Sequence, residues 1–193
     1  MKKIIRTLLL VSSIAACTSV LAQENRWSLG AEAGLPLGAF GETFVAGVGA
    51  SARFEHPMNE KLAIIGTIGW QAFLAKDKIV NVGVDLLITK YKSSMIPIMV
   101  GGKYYFTEQQ SGFYGAFEFG LVATSGTVTT ILSTQTGDTS SAVSSNSTDF
   151  SYAPSIGYHL SNFDFGLRYQ TISASGGSSK FLGVRIAYVF GDK

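Results

Sequence analysis

Apolar residues recur at every second position along most of this chain, and that period decides what the chain can fold into. Leu182, Val184, Ile186, Tyr188 and Phe190 share one parity, while Gly183, Arg185 and Ala187 share the other. Phe163, Phe165, Leu167 and Tyr169 alternate in the same way with Asp164, Gly166, Arg168 and Gln170. A period of two sends alternate side chains to opposite faces of a β-strand. One face is oily and aromatic; the other is small, polar or charged. A soluble sandwich would fold the oily parity into a core and give the charged parity to water. A transmembrane β-barrel does the reverse, enclosing the charged parity and offering the oily one to lipid.

The N-terminus favours the second arrangement, because it reads as an export signal. Lys2, Lys3 and Arg6 form a positive start, and Thr7 to Ala16 is an apolar run. At about ten residues it is too short to span a bilayer. Val20-Leu21-Ala22 offers a cleavage site after Ala22, which divides the chain into a signal peptide at 1–22 and a barrel domain at 23–193. In a competing reading, Ile14-Ala15-Ala16-Cys17 resembles a bacterial lipobox, with Cys17 lipidated as the new N-terminus. Cleavage after Ala22 leaves no cysteine and therefore no disulfide, so an exported fold needs stability from elsewhere. A closed sheet in lipid supplies it, since every backbone group pairs within the sheet.

The formal charge of +2 includes three leader cations, so the remainder is near −1 and presents no nucleic-acid surface. Beyond the leader, no apolar run reaches the ~18 residues of a membrane helix. Mean hydropathy is nevertheless +0.26 and aromatic content 12%, high for a chain with so few charges. Barrels hide hydrophobicity from window averages because half of each strand is polar. The 22 glycines favour close strand approach and bends over long helices.

The pattern predicts an all-β fold, an eight-stranded antiparallel up-and-down barrel, with strands near 26–35, 44–55, 61–74, 95–106, 112–123, 149–160, 163–171 and 180–190. The third is the least clearly oriented, because Ala63 and Ile65 share a face with Thr67 and Gln71. Connections at 56–60, 107–111 and 161–162 are short, and those at 36–43, 75–94, 124–148 and 172–179 are long. That asymmetry places both termini and the short turns in the periplasm and the long loops outside the cell. The Ser/Thr-rich segment 124–148 cannot bury a core and is expected to be a mobile loop. Within 75–94, Ile79, Asn81, Gly83 and Asp85 alternate with Val80, Val82, Val84 and Leu86, so strands there can protrude above the membrane and offer an edge to a partner. Extracellular contacts are expected through 75–94 and 124–148.

Aromatic residues fall in two belts, where amphipathic rings prefer the membrane interfaces. Trp27, Phe54, Tyr104, Phe106, Phe113, Tyr158, Phe163, Tyr188 and Phe190 lie at the periplasmic ends; Phe44, Trp70, Phe150, Tyr152 and Tyr169 lie at the outer ends.

Several stretches resemble the outer membrane protein beta-barrel domain common in Bacteroidetes, related in architecture to OmpA/OmpX-type small barrels. Gly34-Leu35-Pro36-Leu37-Gly38-Ala39-Phe40 is similar to a Pro-x-Gly-x-Phe first loop. Ile96-Pro97-Ile98 leading to Gly102-Lys103-Tyr104-Tyr105-Phe106 is similar to a fourth strand, and Phe181-x-Gly183-x-x-Ile186-x-Tyr188 to the C-terminal signal read by the barrel-insertion machinery. Gly191-Asp192-Lys193 departs from the pattern by following the last aromatic. The resemblance implies an outer-membrane location in a Gram-negative bacterium, with lipid and that machinery as partners.

The inward parity carries Glu32, Glu55, Glu118 and Asp164 against Arg53, Lys103, Arg168 and Arg185, four of each sign. An eight-stranded barrel is just wide enough for side chains to fill, and unpaired ions inside it would be costly. An internal salt-bridge plug is therefore expected in preference to an ion pathway, with a structural or adhesive role for the whole. Two other readings are a soluble or lipid-anchored barrel holding a small apolar ligand, and a lipid-modifying enzyme using His159 with Ser161 and Asp164. His56 and His159 lie far apart and no metal-ligand pattern accompanies them, so neither a metal nor a cofactor is expected.

Overall fold

A computed structural model describes residues 25–190, apart from 77, 83, 84, 135, 136 and 175. The leader, with Cys17 and the Ala22 cleavage site, and residues 191–193 lie outside the described residues. Nine strands appear in chain order: β1 (Arg26–Leu37), β2 (Phe44–Pro57), β3 (Leu62–Ala75), β4 (Lys78–Val82), β5 (Asp85–Tyr105), β6 (Gly112–Thr134), β7 (Gly137–Leu160), β8 (Phe163–Ala174) and β9 (Gly177–Phe190). A single helical turn, α1 (Ala39–Thr43), follows β1.

Eight of the strands close into a ring. Each pairs antiparallel with its chain neighbours, β9 pairs with β1, and β3 pairs with β5 across the short β4. The ninth, β4, pairs only with the start of β5, from Lys78↔Thr89 to Val82↔Asp85, and stands outside the ring. The meander order follows from the short turns, which can only join adjacent antiparallel strands. Asn59 shapes the first, its side-chain oxygen accepting the backbone N–H groups of Lys61 and Leu62. Ser161 takes a left-handed φ of 51° in the third, the tight link between β7 and β8.

At the other end the connections differ from expectation. Most of the segment 124–148 is strand and not loop: β6 and β7 pair from Thr124↔Ser147 to Thr134↔Gly137. Thr and Val suit a pleated backbone, and a strand with water on both faces needs no oily parity, so the period-two signal fades although the ladder persists. Segment 172–179 likewise belongs largely to strands, with β8 and β9 paired out to Ala174↔Gly177. The asymmetry between the ends lies mainly in how far strands project. β5, β6 and β7 run 21, 23 and 24 residues, against 12 for β1 and β8. Their outer halves form a ribbon standing above the ring, with β4 along one side.

The two faces are sharply different. Leu29, Ile64, Ile68, Ile98, Phe117, Leu121, Ile156, Leu167 and Ile186 are exposed on the outside of the ring, while Thr67, Gln71, Lys103, Glu118 and Gln170 are buried inside it. The orientation of β3 is settled in the same sense: Ala63 and Ile65 point inward and are fully buried, while Leu62, Ile64, Ile68 and Trp70 point outward. No described helix is long and apolar enough to cross a membrane, which has no bearing on strands.

Aromatic rings gather at the short-turn end as close pairs. Trp27 lies 4.8 Å from Phe54, Phe113 4.7 Å from Tyr158, Phe163 5.6 Å from Tyr188, Tyr188 4.9 Å from Phe190 and Tyr104 5.9 Å from Phe106. At the opposite end Trp70, Phe150 and Tyr169 are exposed on the outer face, and Tyr152 stacks at 6.4 Å on Phe117. Phe44 does not join them. The register shifts between Phe44 and Ala46, and this irregularity re-aims the ring inward onto Phe73.

Candidate functional site: the sealed interior

The inside of the ring has two storeys. The storey nearer the short turns is polar, and the expected eight charged residues lie in it, all buried. Arg53 donates to Glu118 at 2.8 Å and, through Nε, to Thr67 Oγ1 at 3.1 Å; Thr67 in turn donates to the other Glu118 oxygen. Lys103 bridges two carboxylates, Glu55 at 3.1 Å and Asp164 at 2.8 Å. Tyr105 donates to Glu55 at 2.6 Å, and Tyr114 to Asp164 at 2.9 Å. The Lys103 ammonium also sits 4.0 Å from the Tyr114 ring centroid, a cation–π contact in a dry setting. Arg168 donates to Glu32 at 2.6 Å, as does Gln71 at 3.0 Å. Arg185 spans the clusters, lying 3.4 Å from Asp164 and 3.9 Å from Glu32 while donating to Ser51 and Ser28.

Each charge therefore meets an opposite charge, as buried ions require; each carboxylate also accepts from a neutral donor, and Arg53 and Arg185 donate to hydroxyls as well. Parity alone finds the eight charges. It puts Thr67, Gln71, Tyr105 and Tyr114 on the same face but does not mark them as partners of the charges, since they carry none themselves. Nor does it tell which carboxylate meets which cation, since that depends on how far neighbouring strands are staggered. One further signal was available in the glycines. A Cβ at Gly157 would lie 2.3 Å from the Tyr114 phenol, so the absent side chain makes room for the large one on the next strand.

The short-turn mouth is closed by Gln110, which is buried with a left-handed φ of 52°. Its side chain donates to Asn59 O at 2.6 Å, tying the second short turn to the first. Its carbonyl accepts from Arg26 at 3.4 Å and lies 3.0 Å from His159 Nδ1.

The storey nearer the ribbon is apolar, which the charge pattern did not lead us to expect. Phe73, Met95, Val122, Ile172 and Phe181 form a buried cluster, covered by Phe40 of α1 and by Phe44. The rings meet edge-on, Phe73 with Phe40 at 4.9 Å and with Phe181 at 5.5 Å. The first connection thus folds over the mouth as a stopper. Phe181, read from sequence as part of an insertion signal, is also part of this core.

Residues considered for chemistry are placed differently. Asp164 is engaged by Lys103, Tyr114 and Arg185. Ser161 sits on the exposed turn and donates to Asn162. His56 is 2.7 Å from Asn25 at the surface. The hydroxyl that a nucleophile would need is therefore outside the barrel while the carboxylate is committed inside it. Among the described residues, no group of His, Cys, Asp and Glu could hold a metal ion.

Comparison with known proteins bears on the fold. No protein-family model matches the chain, and no curated protein matches it in sequence. Solved structures do match. The attachment invasion locus protein Ail of Yersinia pestis superimposes with a TM-score of 0.53 at 10% identity, over 86% of this chain and 97% of that one. Ail in complex with the heparin analogue sucrose octasulfate gives 0.51 at 13% identity, over 87% and 100%. The fold is the closed antiparallel meander barrel of the kind seen in Ail. At these identities the likeness reaches the architecture and stops there.

Proposed function

We propose that this chain spans the outer membrane of a Gram-negative bacterium as a sealed eight-stranded barrel, with termini and short turns in the periplasm. Its work is done by the ribbon of β4 to β7 outside the cell, in a structural or adhesive role without catalysis. The observation that carries this reading is the pairing of an oily exterior with a neutralised, filled interior. Soluble monomers rarely expose an apolar patch beyond a few hundred Å², and here the apolar band runs round the whole ring. A soluble barrel for a small apolar ligand would need a hollow and a water-compatible exterior. The filled interior and the outer face both oppose it.

The aromatic pairs at the short-turn end and Trp70, Phe150 and Tyr169 at the other serve in this reading as interfacial belts. Glu32, Arg53, Glu55, Lys103, Glu118, Asp164, Arg168 and Arg185 serve as the plug. Lipid and the barrel-insertion machinery are the obligatory partners, the latter reading the outward Tyr188 and Phe190 of β9. The narrower kinship with Bacteroidetes barrel domains rests on the motifs of the first loop, β5 and β9. A signal peptide cleaved after Ala22 delivers the chain. The ribbon, over 75–94 and 124–148, provides the surface for an extracellular partner.

Cell fractionation and planar-bilayer recording test this together. The reading expects the protein in the outer-membrane fraction, with altered gel mobility when unboiled and no ion conductance. Release by osmotic shock would contradict the location, and steady conductance would contradict the plug.

A further inference from the structure

Where the apolar band gives way to the ribbon, the outer face carries a groove of about 320 Å³ lined by Ser94, Ile96, Ala123, Ser125, Asn146 and Thr148 among others. Strand register fixes its layout. Ile96, Ala123 and Thr148 lie abreast in one row, and Ser94, Ser125 and Asn146 in the next row out. Small residues on the central strand make the hollow. One row closer to the barrel centre stand Ile98, Leu121 and Phe150, which belong to the apolar band.

Lysines lie on the other side. Pairing of β5 with β6 runs without a shift from Leu86↔Ser133 to Tyr105↔Tyr114. The outward parity of Val100, Ile98 and Ile96 therefore continues through Ser94 to Lys92 and Lys90. Both lysines are exposed, and two residues of strand separate them by about 7 Å. Asp149, beside the groove, has the opposite parity, and its carboxylate accepts the Ser147 hydroxyl at 2.6 Å. Moving outward, the surface thus passes from apolar, to hydroxyl and amide, to cationic.

That order matches one kind of amphiphile. We propose that the groove binds the head of a phosphorylated glycolipid of the outer leaflet. Lys90 and Lys92 meet its phosphate, Ser94, Ser125, Asn146 and Thr148 meet the sugar hydroxyls, and its acyl chains descend over Ile98 and Leu121. The occupant is a lipid and not a free anion because the lower rows continue without a break into the apolar band. The inference rests on the membrane-spanning reading above and adds to it a named site on one side of the ring.

The test uses the full-length protein in phosphatidylcholine vesicles with a diphosphorylated, acylated glucosamine disaccharide as probe. Insertion is checked first by unboiled gel mobility. The native protein is expected to retain the probe through detergent extraction, as read by native mass spectrometry. The double variant K90Q/K92Q should lose at least tenfold in retention, and Ser125→Trp, which fills the groove, should do the same. Lys180→Gln, which removes one cation at an exposed position on β9 away from the groove, should have no effect. The dephosphorylated disaccharide lipid should bind the native protein as weakly as the phosphorylated one binds the double variant.

Equal retention by native and double-variant protein would overturn the proposal, and so would an equal loss with Lys180→Gln. Displacement by millimolar inorganic phosphate would overturn it in favour of a free-anion site. Failure of the native protein to insert would overturn the membrane reading itself, an outcome distinct from insertion without lipid preference.

Discussion

Glu118 shows how tightly single residues are bound into the interior. Arg53 and Thr67 hold its two oxygens, and all three are buried. Removing the carboxylate leaves a buried guanidinium facing an empty place. Breaking a buried pair in this way costs about 3–5 kcal/mol. Glu118→Ala should therefore unfold at markedly lower urea in detergent micelles while planar-bilayer conductance stays absent, because the apolar storey still stops the bore. A stable variant, or an open channel, would contradict the plug. Gly157→Ala tests the complementary fit. Its new methyl meets the Tyr114 phenol and the Phe165 carbonyl on the β8 backbone, and overpacking of this kind costs about 1–3 kcal/mol. The same urea titration should show that loss, and an unchanged midpoint would mean that the ring and the neighbouring strand both yield. At this scale the sequence was legible where charge marked a residue and silent where a neutral hydroxyl or phenol completed the bonding. Tyr105 and Tyr114 share the inward parity, yet nothing in their type distinguishes a plug residue from a lumen wall.

Strands were legible wherever one face was oily and the other polar. Leu167 lies on the outer face of β8 between Phe165 and Tyr169, near the middle of the strand. Leu167→Arg should cost about 2–4 kcal/mol in reversible folding into vesicles, as for a charge at the midplane of such a barrel. A neutral result would show that water and not lipid touches that face. Beyond the oily band the period-two signal loses its cause, and the parts of β6 and β7 outside Ala123↔Thr148 look like low-complexity linker. Their pairing from Thr124↔Ser147 outward, with β5 on the other side of β6 as far as Leu86↔Ser133, predicts slowed exchange for backbone amides throughout 125–133. Hydrogen-exchange mass spectrometry should resolve protected peptides there, whereas random-coil exchange would restore the mobile loop. Phe44 was misplaced for a local reason. A register irregularity beside it breaks the parity that every outward assignment relied on.

Closure of the whole ring is the property most plainly written in the chain. Turns too short for crossovers, an even set of amphipathic strands and a charge-balanced inner parity leave little besides a meander barrel. The apolar storey was less visible because Phe73, Met95, Val122 and Phe181 interrupt an inner parity that elsewhere is polar, and only the fold brings them together under α1. The central claim is that lipid tails surround this ring, and Trp27 and Trp70 report on it directly, being 57% and 50% exposed on the outer face near opposite ends of the band. Tryptophan fluorescence should be measured after folding into vesicles whose acyl chains carry bromine at defined depths. Strong quenching by the brominated chains, with weak quenching by aqueous acrylamide, is the predicted result. Full acrylamide quenching with no response to bromine would contradict it.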